Sequence, residues 1–140
     1  MRTSHIIASV VTFSLLAGAC VRKQDVIAPA PSPVAGKGGH NALRITPQAR
    51  EKNIDSCLIL LKYNAIKMPD SFKYDDAKWV TQQDGRPIAK FDSLAKGDYY
   101  IYAIGWDADK ADTVMGGATF KIVDTTQSTY DLYLPVFPKE

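Results

Sequence analysis

The sequence predicts an all-β fold, a single Greek-key β-sandwich of about seven strands. From Asn41 onward, apolar residues recur with a period of two rather than 3.6, and no segment shows a convincing helical pattern. Turn residues such as Asp84-Gly85 separate the short apolar runs. Two packed sheets that each bury one face are the usual arrangement for strands of this number and length.

The strands are predicted in order along the chain. The first carries Leu43 and Ile45 on one face, and the others are the segments 55–63, 77–81, 87–91, 99–106, 115–123 and 129–137. In the longer segments apolar side chains alternate with others, as in a strand that buries one face. The segment 99–106 is the strongest of them. In contrast, 68–76 is polar and rich in turn residues and is predicted as a loop.

A motif precedes the strongest strand. Leu94-Ala95-Lys96-Gly97-Asp98-Tyr99 resembles the L-x-P-G-x-Y element of Greek-key sandwiches, with Lys96 where proline is usual. In that element the glycine makes the turn and the tyrosine hydroxyl bonds back to the upstream backbone, an arrangement called a tyrosine corner. Over residues 84–106 the chain resembles the prealbumin-like, or carboxypeptidase-regulatory-like, domains of bacterial envelope proteins. The resemblance implies a sandwich fold and no particular activity.

The first twenty residues resemble the signal of a bacterial lipoprotein. Residues 6–19 carry no charge and are too few to span a membrane comfortably, since that requires roughly 20 apolar residues. Ala17-Gly18-Ala19-Cys20 resembles the lipobox, in which the cysteine thiol receives the lipid, so Cys20 is the predicted attachment site. The same residues also fit ordinary secretory cleavage, which would leave Cys20 free. The whole chain resembles small lipoproteins of Bacteroidetes-type bacteria.

The chain is thus predicted to have three parts. They are a signal peptide over 1–19, the lipidated Cys20 with a flexible linker over 20–39, and the sandwich domain over 40–140. Alternating prolines in the linker favour an extended chain, and a glycine cluster at its end adds a hinge. The rest has room for one domain of about 100 residues. We expect a protein of the cell envelope, anchored to the membrane and facing the periplasm or the cell surface.

Several functional classes are disfavoured by composition. With 17 Lys and Arg against 15 Asp and Glu, the net charge is +2, too low for a nucleic-acid binder. Cys57 lies in an apolar run, which is typical of a buried thiol rather than a nucleophile. His40 lies beside the glycine cluster and is poorly held for use as a base. We therefore expect no catalytic activity and no cofactor.

Aromatic residues on the strongest strand suggest a partner surface. Tyr100, Tyr102 and Trp106 project to one side and lead to Asp107 and Asp109. Stacking surface beside hydrogen-bond acceptors suits a protein or a glycan. The favoured interpretation, however, is that a loop such as 68–76 covers this face, and an exposed strip is the alternative. The favoured function is therefore a lipid-anchored accessory or binding module of the envelope.

The acidic turn after the strongest strand offers the alternative function. Oxygen ligands at alternating positions are what Ca²⁺ prefers, so a small envelope metal-binding protein or hydrolase could use the turn Asp107-Asp112. The spacing of the common calcium-binding loop fails, because Asp112 stands where glycine is required and Ala118 where glutamate is. Aspartate is also a common turn residue because its side chain bonds nearby backbone groups. A solvated turn is the favoured interpretation.

Overall fold

A computed structural model describes residues 34–123, 126 and 128–140. The predicted signal peptide, Cys20 and the linker up to residue 33 lie outside the described residues. All regular secondary structure in the described part is β-strand, which confirms the predicted all-β class. That part contains no helix long and apolar enough to cross a membrane.

The strands form two sheets that pack face to face. In the described residues the strands are β1 Lys37–Ala49, β2 Lys52–Asn53, β3 Ser56–Tyr63, β4 Asp76–Trp79, β5 Thr81–Gln83, β6 Arg86–Leu94, β7 Gly97–Asp107, β8 Asp112–Ile122, β9 Thr129–Pro135 and β10 Phe137–Pro138. Sheet A has the order β2-β1-β6-β5, with β9 also paired to β1. Sheet B has the order β10-β8-β7-β3-β4. Strands β1 and β9 run parallel, and the other pairs are antiparallel.

Each predicted strand segment corresponds to an observed strand. The short strands β2, β5 and β10 are additional, because two or three residues are too few to show an alternating pattern. The inner faces of the two sheets form one core, whose fully buried side chains include Leu43, Ile45, Phe91 and Leu134 from sheet A and Ile59, Leu61, Tyr99 and Ile101 from sheet B.

The first strand begins inside the segment that the sequence assigned to the linker. β1 starts at Lys37 and includes Gly39, so these residues belong to sheet A rather than to a hinge. A Cβ atom on Gly39 would lie 2.1 Å from the carbonyl oxygen of Leu94. Glycine therefore permits a close approach of β1 to the end of β6, where the register between the two strands shifts.

The predicted tyrosine corner is confirmed. The hydroxyl of Tyr99 donates a hydrogen bond to the carbonyl oxygen of Ala95 at 2.6 Å, and it accepts one from the Gly36 N–H at 2.9 Å. The Ala35 N–H in turn donates to the side-chain oxygen of Asn64 at 2.8 Å. These hydrogen bonds thus hold the segment that leads into β1 against the end of the sandwich where β7 begins.

Tyr99→Phe is expected to lower the free energy of unfolding by about 1 to 3 kcal/mol, because it leaves the Gly36 amide without its buried acceptor. Urea unfolding measures this loss. The matched control is Tyr133→Phe, which removes a hydroxyl that accepts a hydrogen bond from Arg86 on the outer face of sheet A. Because that hydrogen bond is exposed, its loss is expected to cost no more than about 0.5 kcal/mol. Equal losses in the two variants would contradict a stabilising tyrosine corner.

Candidate functional site

The outer face of sheet A is covered by a network of charged side chains, which we call the ion-pair face. Arg44 lies 2.5 Å from the Asp84 carboxylate and 3.6 Å from that of Asp131. Arg86 pairs with Asp131 at 2.6 Å, and its guanidinium lies 5.2 Å from the centre of the Tyr133 ring. These charged side chains pair with one another, so this face offers little apolar surface to a partner.

The outer face of sheet B carries an apolar row that crosses the whole sheet. Strand register places one uncharged, apolar residue from each strand directly beside the next: Phe137, Met115, Ile104, Leu58 and Trp79. Residues paired in this way share a face, with their Cβ atoms about 4.5 to 5.5 Å apart. The two ends are the most open, since Phe137 is 63% exposed and Trp79 64%.

The rows on either side of the apolar row are also uncharged. One consists of Thr113, Trp106 and Ser56, and the other of Gly117, Tyr102, Leu60 and Ala77. Trp106 adds further aromatic surface, because its side chain is 47% exposed. Three successive rows of sheet B therefore present no charge, which contrasts with the ion-pair face on the opposite side of the sandwich.

The structure separates the three aromatic residues that the sequence grouped into one strip. Tyr102 is only 8% exposed, because Phe72 and Tyr74 from the loop before β4 cover it at ring-centre distances of 5.6 and 6.2 Å. Tyr100 is half-buried, and its hydroxyl occupies the space above Gly117 where a Cβ would lie 2.1 Å away. Tyr102 is therefore covered, as the favoured interpretation expects, and Tyr100 is only partly accessible. Only Trp106 of the three is exposed.

Both predicted hydrogen-bond acceptors, Asp107 and Asp109, form ion pairs with Lys52. Asp107 is 4% exposed, and its carboxylate lies 3.5 Å from the Lys52 ammonium, which also pairs with Asp109. The Asp109 N–H donates to Asp107 at 3.1 Å. Burial by itself would raise the pKa of Asp107, but this hydrogen bond and the Lys52 charge hold the pKa below its usual value. Asp107 therefore stabilises the β7–β8 turn instead of facing a ligand beside Trp106.

Lys52 also competes with the alternative function, in which the turn Asp107–Asp112 binds a metal ion. Its ammonium occupies carboxylate oxygens of Asp107 and Asp109 that a divalent cation would need. Among residues 34–123, 126 and 128–140, no three or more His, Cys, Asp and Glu side chains are grouped so that they could hold a metal ion.

Two further reactive side chains of the described residues, those of Cys57 and His40, do not lie on the outer face of sheet B. Cys57 is fully buried, as its apolar surroundings predict, and burial raises the pKa of its thiol to about 12. The thiol is thus protonated at neutral pH, a form that is a poor nucleophile. His40 lies exposed in β1, on the other sheet.

The sequence predicts an apolar face on the strand 99–106, which contains Ile104, but not the row that extends this face across the neighbouring strands. One signal was present: the run Cys57-Leu61 is apolar on both faces of its strand, so Leu58 has to point away from the core. The positions of Trp79, Met115 and Phe137 beside it follow from strand register alone.

No protein-family model matches the chain, and a search of the curated proteins found no significant match.

Proposed function

We propose that the protein is a non-catalytic, lipid-anchored module of the bacterial cell envelope that binds a partner protein through the apolar row and Trp106. The observation that supports this most strongly is the apolar row across all strands of sheet B, whose two ends are largely exposed among the described residues. The opposite side of the sandwich carries ion pairs instead. Soluble domains that act alone rarely expose a contiguous apolar patch of more than a few hundred Å².

The exposed area supports an interface of ordinary size. Trp79, Phe137 and Trp106 are 64, 63 and 47% exposed, which corresponds to roughly 300 to 400 Å² from these three side chains when a fully exposed aromatic contributes about 150 to 250 Å². The half-buried members of the row and the rim add to this area. A stable interface buries about 800 Å² on each partner, so this face supplies a large share of one.

The chemistry of the face favours a protein over a glycan. Its centre is formed by Leu58, Ile104 and Met115, whose side chains offer dispersion contacts but no hydrogen-bond donors. A sugar needs several polar groups for its hydroxyls. Protein interfaces instead have an apolar centre depleted in charge, in which tryptophan and methionine are enriched.

The proposed location rests on the sequence around Cys20. The resemblance of residues 17–20 to a lipobox, and the proline-rich linker that follows, support a domain tethered to a membrane by acyl chains. Lipid attachment of two or more chains makes such an anchor stable. The proposed partner is therefore another protein of the envelope.

Photo-crosslinking in the native envelope tests the partner surface. A benzophenone amino acid at position 137, at one end of the apolar row, is expected to give one crosslinked protein species. Trp79→Asp in the same chain is expected to reduce that crosslink at least tenfold, because a desolvated charge is placed in the interface. Trp79 is already largely exposed, so the substitution leaves the fold intact.

The matched control is Tyr133→Asp on the ion-pair face, which is expected to leave the crosslink unchanged. Three results would contradict the proposal. They are equal crosslinking from position 137 and from position 133, a product of twice the chain mass, which would indicate a second copy, and binding to purified envelope glycan that Trp79→Asp abolishes.

A further inference from the structure

An apolar cavity opens at the end of the sandwich where the β1–β2 and β7–β8 turns come together. Its volume is about 260 Å³. Both sheets contribute to its apolar walls, which are formed by Ala49 from β1, Val114 from β8, and Val136, Phe137 and Pro138 at the C-terminal end. We call this space the end cavity. It is a different site from the apolar row, although Phe137 contributes to both.

The rim of the end cavity carries an excess of positive charge. Arg50, Lys52 and Lys110 line it, together with Asp107 and Asp109. Lys52 is paired with both carboxylates; this group of three carries one net negative charge, and Arg50 and Lys110 give the rim its excess of one positive charge. The side chains of Arg50 and Lys110 form no ion pair or hydrogen bond with any residue in the described part of the chain.

These two cations approach the cavity from opposite sheets. Arg50 occupies the β1–β2 turn with a left-handed backbone (φ 51°), and Lys110 lies in the β7–β8 turn, next to Ala111 with φ 50°. The turn conformations place both residues beside the cavity mouth. An arginine in such a position can hold a carboxylate with two parallel hydrogen bonds, while a lysine adds a point charge.

We propose that the end cavity binds a small amphiphilic carboxylate, with its apolar tail between Val114, Val136 and Phe137 and its anionic head between Arg50 and Lys110. A volume of about 260 Å³ accommodates roughly nine atoms of the size of water, at about 30 Å³ each. This size matches a medium-chain acid or the last apolar residue of a polypeptide. The proposal does not depend on the partner-binding function.

An NMR titration of the chain from residue 20 onward, carrying Cys20→Ala so that no lipid is present, tests the site. Octanoate is expected to shift the backbone amides of Arg50 and Lys110, and octan-1-ol, its uncharged counterpart, to bind at least tenfold more weakly. Arg50→Asn with Lys110→Gln is expected to weaken octanoate binding at least tenfold and to leave octanol binding within twofold. Asparagine tolerates the left-handed conformation at position 50, so this variant retains the fold.

Two further variants separate cavity binding from other binding. Ala49→Phe fills the cavity and is expected to abolish binding of both probes, whereas Trp79→Asp, on the apolar row, is expected to leave both unchanged. A failure of the partner-binding proposal is thus distinguishable from a failure of this one. Equal affinity for octanoate and octanol, or octanoate binding that survives the double charge substitution, would overturn the assignment.

The source of the carboxylate is resolved by a second pair of probes. An acetylated tripeptide ending in leucine with a free carboxylate is compared with the same peptide as an amide. Binding of octanoate alone assigns the site to a free acid, and binding of the free-carboxylate peptide alone assigns it to the carboxyl end of a polypeptide. If neither octanoate nor the free-carboxylate peptide binds at millimolar concentrations, the proposal is wrong.

Discussion

Ile59→Ala is expected to lower the free energy of unfolding by about 2 to 5 kcal/mol, the range measured for large-to-small substitutions in protein cores. Ile59 is fully buried at the centre of β3, where it pairs in register with Ala103 of β7 and packs between the two sheets. The surrounding strands cannot collapse into the space that the deleted atoms leave, so a cavity adds to the lost burial energy. Urea unfolding with an unchanged m-value measures the effect.

The neighbouring residue provides a matched control for the core. Leu58→Ala removes a side chain of the same size from the same strand, but from the outer face, where Leu58 is half-buried. Its expected cost is below about 1.5 kcal/mol, because less apolar area is lost from burial. A cost for Leu58→Ala equal to that for Ile59→Ala would show that the outer face of sheet B is as tightly covered as the core.

Cys20→Ala is expected to abolish lipid attachment and membrane association, because the thiol of Cys20 is the predicted acceptor and a stable anchor needs its acyl chains. Metabolic labelling with palmitate and the intact mass of the mature chain measure the effect. The matched control is Cys57→Ala, which alters the other cysteine of the chain and is expected to retain the lipid. Membrane association that survives Cys20→Ala, with no lipid mass on the wild-type chain, would contradict the anchor.

The strands were predictable because their patterns are local. The segments 55–63 and 99–106 are recognisable as strands from their own residues, and the faces that carry Ile59 and Tyr99 are buried in the core. The tyrosine corner was also predictable, because its partner Ala95 lies four residues before Tyr99. The second partner, Gly36, lies 63 residues away, and nothing in the local sequence indicates that its N–H bonds to the Tyr99 hydroxyl.

The candidate surface was only partly predictable, because it depends on which strands are neighbours. Trp106 was identified from its position on the strongest strand, but the apolar row joins residues of five strands through register. The burial of Tyr102 depends on where Phe72 and Tyr74 fold back onto the sheet. Lys52 pairs with Asp107 from 55 residues away, so the availability of Asp107 as an acceptor could not be judged from the turn itself.

Hydroxyl-radical footprinting of the protein, performed once in its native membranes and once after purification, tests whether a partner covers the apolar row. The apolar row and Trp106 are expected to be protected in the membranes and labelled in the purified protein, with at least a fivefold difference at Trp79 and Phe137. Tyr133, on the ion-pair face, is expected to be labelled equally in both samples. Equal labelling of Trp79 and Phe137 in both samples would contradict a partner on this face.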